Sequence, residues 1–185
     1  MAFAGLCLLT ACGPKQAFHA TDVTGAMPDL SFRMVRASDG LKVSEQDYRG
    51  RVVLLYFGYT HCPDICPTTL SNLADVLKRL GPDADKVRVL FVSVDPDRDT
   101  LEVLKPFAEA FAPQVEGLRG SDNAIADLAR RYRIAYSVKK APDYVVTHTS
   151  AVIVFDDQGR ARLVTTDTKD TPAVAEDVKR VADGA

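Results

Sequence analysis

Nowhere in the 185 residues is there an unbroken apolar run of about 18, the length a spanning helix requires, so the chain carries no candidate transmembrane helix. An excess of positive charge is missing too. Lys and Arg number 23 against 25 Asp and Glu, for a formal net charge of −2. That balance supplies no clustered basic face and argues against nucleic acid as a partner. Only four cysteines are present, too few for a small disulfide-stapled scaffold, and a chain of this length does not need one. Internal repeats and low-complexity segments are absent. What remains is 46% hydrophobic and 26% charged residues, enough apolar material for one packed domain and too much for global disorder. Since the bulk composition is ordinary, the chemistry has to come from the cysteines.

The first ten residues, MAFAGLCLLT, are apolar but too short to cross a bilayer. Leu9-Thr10-Ala11-Cys12-Gly13 resembles a bacterial lipobox, with a leucine, two small residues that fit a narrow peptidase site, and the Cys that becomes the new N-terminus. The resemblance implies that residues 1–11 are a lipoprotein-type signal segment and that Cys12 is lipidated. More than one acyl chain would hold the mature protein stably at the outer, periplasmic face of the cytoplasmic membrane in a bacterial cell envelope. The basic region that opens such a signal is missing, since no Lys or Arg precedes Lys15. Residues 12–26 are polar and aperiodic and read as a membrane tether, with His19 as a solvated linker residue. Residues 27–185 are then the domain. With Cys7 removed and Cys12 acylated, two thiols remain, Cys62 and Cys66.

Within the domain, Ser31 to Arg36 alternates and Asp39-Gly40 is a turn signal, so a small β-hairpin is expected at its start. RVVLLYFGY, residues 51–59, is a continuous β-branched and aromatic run and reads as a buried central strand. A helix follows to about Leu80, with Pro67 in its first turn and Leu70, Leu73, Val76, Leu77 and Leu80 on one face; Gly81-Pro82 stops it. Residues 87–94 predict a second buried strand, and helices are expected over 101–111 and from a Ser121 cap to about Tyr132. Strands at 150–155 and 161–165 flank an Asp157-Gln158-Gly159 turn, and a last helix begins with Thr171 as cap and Pro172 in the first turn. This order predicts an α/β domain of thioredoxin-like type, a central mixed β-sheet flanked by helices with an N-terminal β-hairpin. The cysteines fall where the first central strand meets its helix, and sites in such folds lie beyond the carboxyl ends of strands.

Cys62-Pro63-Asp64-Ile65-Cys66 is a C-x-x-x-C pair at the start of a helix, where backbone N–H dipoles favour a thiolate. Positions i and i+4 share a helix face, so both sulfurs can converge on one metal ion or on each other. Two buried core cysteines or a structural disulfide are the plainer alternatives. Two thiolates fall short of the four protein ligands usual for structural zinc. With one imidazole added they suit copper, the soft Cu(I) ion in particular. Two histidines compete for that place. His61 abuts Cys62, with its side chain expected to point away from its neighbour's; His148 sits in a loop just before a strand, where it can face the pair or simply lie on the surface.

Three separated motifs carry a more specific resemblance: YFGYTHCPDICPTTL at 56–70, VSVDPDRDT at 92–100 and HTSAVIVFDDQGR at 148–160. In these the chain is similar to the Sco/SenC family of copper-binding thioredoxin-fold proteins, over roughly residues 27–183. The resemblance implies copper, as Cu(I), Cu(II) or both, held by Cys62, Cys66 and His148. It implies assistance in assembling the binuclear copper centre of cytochrome c oxidase subunit II, as copper donor, as thiol reductant of that subunit's cysteines through the redox-active pair Cys62 and Cys66, or both. The partners are then subunit II, a thiol reductant and an upstream copper donor. In the family the loop matching Asp95 to Thr100 lies near the copper, so Asp95, which ends a strand on the same edge as Cys62, is a candidate to support the ligands or dock the client. Asp64, between the cysteines, is a candidate to tune the local field. For both loops plain solvation is the alternative.

A membrane-tethered thiol–disulfide oxidoreductase without a physiological metal is the second reading. Ordinary thioredoxins carry C-x-x-C facing a cis-proline, whereas three residues separate these cysteines and Thr147-His148-Thr149-Ser150 holds no proline. A peroxidase of peroxiredoxin type would want Thr-x-x-Cys with a supporting Arg, which Tyr59-Thr60-His61-Cys62 fits poorly. A non-catalytic binding module leaves the paired cysteines unexplained.

Overall fold

The structure is a computed structural model and describes residues 17–185. The expected signal segment, Cys12 and the first residues of the tether lie outside the described residues. Ten strands and four α-helices alternate along the rest: β1 Thr21–Asp22, β2 Arg33–Arg36, β3 Lys42–Ser44, β4 Val52–Gly58, α1 Ile65–Leu80, β5 Val87–Ser93, α2 Leu101–Glu109, β6 Val115–Arg119, α3 Asp122–Arg131, β7 Tyr136–Lys139, β8 Val145–His148, β9 Val152–Phe155, β10 Ala161–Thr165 and α4 Thr171–Ala182. Eight strands form one sheet in the order β1-β10-β9-β4-β5-β6-β2-β3, and β7 and β8 pair separately. β4, β5 and β6 run parallel; β9 joins β4 antiparallel, and β2 joins β6 antiparallel. The arrangement is the expected mixed sheet flanked by helices, and the β2–β3 hairpin extends one edge of it.

Every residue of β4 is buried, because the strand is covered on both faces. The strand period of two divides its side chains. Leu54 and Tyr56 go to one side, against Leu70, Leu73 and Leu77 of α1 and Val174 and Val178 of α4. Val53, Leu55 and Phe57 go to the other, with Ile125 and Leu128 of α3. α1 ends at Gly81, whose φ of 56° suits a residue without Cβ. Ser121 caps α3 through its hydroxyl, which accepts the Ala124 N–H at 3.3 Å.

Several elements differ from the sequence expectation. β6 was not anticipated; its residues VEGLR carry Glu, Arg and Gly among the apolar positions, and the glycine lets α2 approach, since a Cβ on Gly117 would lie 3.2 Å from that of Leu104. β7 and β8 are short and half-exposed, with no apolar run to announce them. The cap of α4 is Asp170, which accepts the Ala173 N–H at 3.1 Å. Thr171 is instead the first helical residue, and its hydroxyl turns to Asp75 of α1.

The largest difference concerns the tether. Residues within 17–26 pack on the domain rather than hanging free of it. Thr21 and Asp22 pair with Val164 and Leu163 of β10. Phe18 packs against the core with the Arg180 guanidinium 4.3 Å above its ring. The buried Asp177 carboxylate accepts the N–H groups of His19 at 3.1 Å and Ala20 at 2.7 Å. His19, expected to be a solvated linker residue, also brings Nε2 within 3.3 Å of Glu176. A buried carboxylate needs such donors, and it recruits them from the chain that precedes the domain. In Asp177→Ala these N–H groups lose their acceptor. The expected cost is about 1–3 kcal/mol in urea denaturation, with faster amide exchange at His19 and Ala20; unchanged exchange at both would show that the carboxylate does not hold this segment.

Candidate metal centre

The parallel β4–β5 pair runs in register from Val52↔Val87 to Gly58↔Ser93, so both strands end at one edge. The segments that follow, 59–64 and 94–100, are therefore neighbours, and the buried carboxylate of Asp99 joins them. It accepts the Thr60 N–H at 3.0 Å, the Thr60 hydroxyl at 2.6 Å and the Ser93 hydroxyl at 2.6 Å. The chain then turns into α1, carrying Cys62 just before the helix and Cys66 in its first turn. Gly58 makes room for the second sulfur. A Cβ there would lie 2.5 Å from the Phe91 ring and 3.0 Å from Cys66 Sγ, so the sulfur sits directly against the strand end.

His148 closes the group from a third direction, at the end of β8 rather than in the loop expected for it. Its Nε2 lies 3.2 Å from Cys66 Sγ, and the Cys66 N–H donates to Cys62 Sγ at 3.4 Å. The three side chains each offer one ligand atom, all within 4.8 Å of one another. His148 Nδ1 stands 3.0 Å from the Thr149 carbonyl. A carbonyl only accepts, so the proton is assigned to Nδ1, and Nε2 presents its lone pair to the sulfurs. Rings brace the imidazole edge-on, Tyr59 at 5.9 Å and Tyr56 at 6.0 Å.

The electrostatics distinguish the two thiols. Burial alone would push Cys62 up, but the Asp64 and Cys66 N–H groups and the Cys66 and Tyr59 side chains outweigh it, and its pKa lies below the usual thiol value. Burial pushes Cys66 up to about 12, against a hydrogen bond from the Tyr59 backbone. Burial also lowers His148, partly offset by the Thr149 carbonyl, which favours the neutral imidazole a metal requires. The set is thus one partly exposed thiol with a lowered pKa, one buried thiol whose pKa is raised, and one imidazole whose neutral form is favoured. Two soft donors and an imidazole match the copper expected from the sequence, and no fourth ligand of the kind structural zinc takes joins this group among the described residues.

The other sequence candidates stand at different distances from this chemistry. His61 is outside the group; its exposed ring turns to Thr60 Oγ1 at 3.0 Å and Asp99 at 3.7 Å. Asp64 acts through its backbone N–H on Cys62, while its exposed carboxylate accepts the Thr68 hydroxyl at 3.2 Å. Asp95 is buried and touches no ligand atom; it accepts from Tyr144 OH and Arg98 Nε, each at 2.5 Å. Arg98 lies 3.8 Å over the Tyr144 ring and 5.9 Å from that of Tyr59, so Asp95 reaches His148 only through other side chains. Sequence reasoning passed over Gly58, Tyr59, Asp99 and Tyr144. Asp99 lay in a motif already singled out, but Tyr144 is 49 residues from the carboxylate it meets, and no local signal marks it.

Comparison with known proteins follows the same lines. A family profile described as SCO1/SenC matches residues 25–183. A mitochondrial SCO2 homolog of Bos taurus is 42% identical over 118 residues, covering 61% of this chain and 44% of that protein; the match thus spans less than half of that relative's length. Bradyrhizobium japonicum ScoI, solved with copper bound, is similar with a TM-score of 0.74 at 38% identity, over 83% of this chain and 98% of that one. BsSco, a member of the Sco family of cytochrome c oxidase assembly proteins in which a disulfide switch was identified, has a TM-score of 0.70 at 26% identity, over 91% of this chain and 99% of that one.

The contrast between the thiols predicts an order of modification. Cys62 is partly exposed and Cys66 is 0% exposed, so limiting iodoacetamide at neutral pH is expected to label Cys62 first and leave Cys66 largely free until Cys62 is consumed. Peptide mapping by mass spectrometry reads the order, and equal or inverted labelling would contradict it.

Proposed function

The chain belongs to the SCO1/SenC family, and on that premise we propose that it is a copper metallochaperone that binds about one copper ion through Cys62, Cys66 and His148. The client is the binuclear copper centre of cytochrome c oxidase subunit II. The observation that carries the reading is the convergence of two sulfurs and one imidazole nitrogen within 4.8 Å, with the nitrogen lone pair turned inward. Delivery follows from the unequal burial of the donors. Cys66 is buried against Gly58 at the strand end, whereas Cys62 is only partly buried. An incoming client thiolate displaces Cys62 first, and the ion then passes by ligand exchange without being released to water.

The same geometry supports thiol–disulfide chemistry as a second reading, favoured by the lowered pKa of the accessible Cys62. Its thiolate attacks a client disulfide, the client's S–S bond breaks, and one client sulfur leaves as thiolate while the other is joined to Cys62. Cys66 loses its proton and attacks the Cys62 sulfur, releasing the second client thiolate. The client is reduced by two electrons and a Cys62–Cys66 disulfide forms. That disulfide cannot bind copper, so a thiol reductant must reopen it before an upstream donor reloads the site. Acylation at Cys12 after loss of residues 1–11, with the domain held at the periplasmic face of the bacterial cytoplasmic membrane, completes the proposal. Its support is the Leu-Thr-Ala-Cys motif.

Competition for Cu(I) between the reduced domain and a chelator tests the ligand set. Cys62→Ser combined with Cys66→Ser is expected to abolish competitive binding, and His148→Ala to weaken it by at least ten-fold; wild-type affinity in the double variant removes the assignment. In a strain lacking the gene, excess copper is expected to restore oxidase assembly. Restoration by added thiol alone would favour the reductant reading over copper delivery.

A further inference from the structure

His148 does not belong to the main sheet. It ends β8 in a two-stranded hairpin that pairs only with itself, and an isolated hairpin of this size is marginal in water. Its orientation must come from contacts with the body of the domain. Alternation along an extended chain puts Tyr144, Val146 and His148 on one face, and each meets the body: Val146 is 8% exposed, packed in the core, and His148 faces Cys66. Tyr144 donates its hydroxyl to the fully buried carboxylate of Asp95 at 2.5 Å, and the Arg98 guanidinium lies 3.8 Å over its ring while binding the same carboxylate.

The remaining polar ties are weaker. Tyr59 OH reaches the Val146 carbonyl only at 3.5 Å. Lys140 pairs with Asp97 between two exposed side chains, a kind of ion pair that contributes little. The Asp95 carboxyl, by contrast, is 0% exposed, so water does not compete for the hydrogen bonds it accepts. An extended chain rises about 3.3 Å per residue, so the stretch from Tyr144, just before β8, to His148 at its end spans roughly 13 Å, with the buried contact at one end and the imidazole at the other.

We propose that Asp95, Arg98 and Tyr144 form a latch that fixes the β7–β8 hairpin and aims His148 at Cys66, making Tyr144 a positioning residue for the third ligand. The proposal rests on the assignment of His148 as a copper ligand, and it adds that the ligand's placement depends on a side chain that never meets the ion. Tyr144 is partly exposed, so Tyr144→Phe keeps the ring over Arg98 and removes only the hydroxyl.

The test sets full-length Tyr144→Phe beside wild type and His148→Ala. In the metal-free protein, hydrogen exchange at β7–β8 amides is expected to rise by an order of magnitude in Tyr144→Phe, while β4 and β5 stay protected. In Cu(I) competition the variant is expected to lose roughly ten-fold in affinity, the lower end for residues that orient a metal ligand. The Cu(II) form should show reduced imidazole-nitrogen coupling by electron paramagnetic resonance. Wild-type hairpin exchange in Tyr144→Phe overturns the latch whatever the metal does. Wild-type affinity in Tyr144→Phe with weakened binding in His148→Ala overturns its role in aiming the ligand. Wild-type affinity in His148→Ala strikes the ligand assignment itself, and with it any part for the latch in copper binding.

Discussion

The site depends on the parallel pairing of two buried strands. Because β4 and β5 run in register to a common edge, the segments that leave them are held side by side, and a buried carboxylate, Asp99, joins them with two hydrogen bonds from Thr60 while a third, from Ser93, ties it to the end of its own strand. That junction sets where α1 begins and therefore where its first-turn cysteine points. Asp99 makes no contact with the sulfurs. It acts as a keystone between two loops that the hydrophobic core has already brought together, and its enclosure gives those hydrogen bonds their strength, since water cannot compete for them.

A division of labour between the two thiols follows from the packing alone. Cys66 is buried against the glycine at the strand end, which raises its proton affinity. Cys62, one helical turn earlier, collects backbone and side-chain donors and is held as the better anion. An arrangement of this kind serves metal transfer and disulfide exchange equally well, because both begin at the accessible sulfur and both need the inner one as a second partner. The proposed roles in copper delivery and thiol reduction are two uses of one asymmetry.

Much of this was legible in the sequence wherever the signal is local. The long apolar run of β4, the leucine face of α1, the Gly81-Pro82 stop and the C-x-x-x-C spacing each depend on residues a few positions apart, and the expected elements lie close to where they were read. Pairings over long distances were not legible. β6 is half polar and takes its place from α2 packing on Gly117. β7 and β8 have no apolar run because they pair only with each other. The segment before residue 27 looked like free tether because its anchor, Asp177, lies more than 150 positions away in sequence, on α4. Within the site, Cys62 and Cys66 follow from their spacing. His148 needed the family resemblance to be preferred over His61, since nothing near it in sequence shows that a hairpin will carry it to the sulfurs.

The glycine at position 58 bears on any attempt to transplant this centre. Copying two cysteines and a histidine into another scaffold of the same outline would reproduce the donor atoms without reproducing their depth. A side chain at the recipient's strand end would collide with the aromatic ring beneath it and with the inner sulfur, driving that sulfur outward until both thiols were equally wetted. Such a graft could bind a soft cation, yet it would have no preferred order in which to let it go.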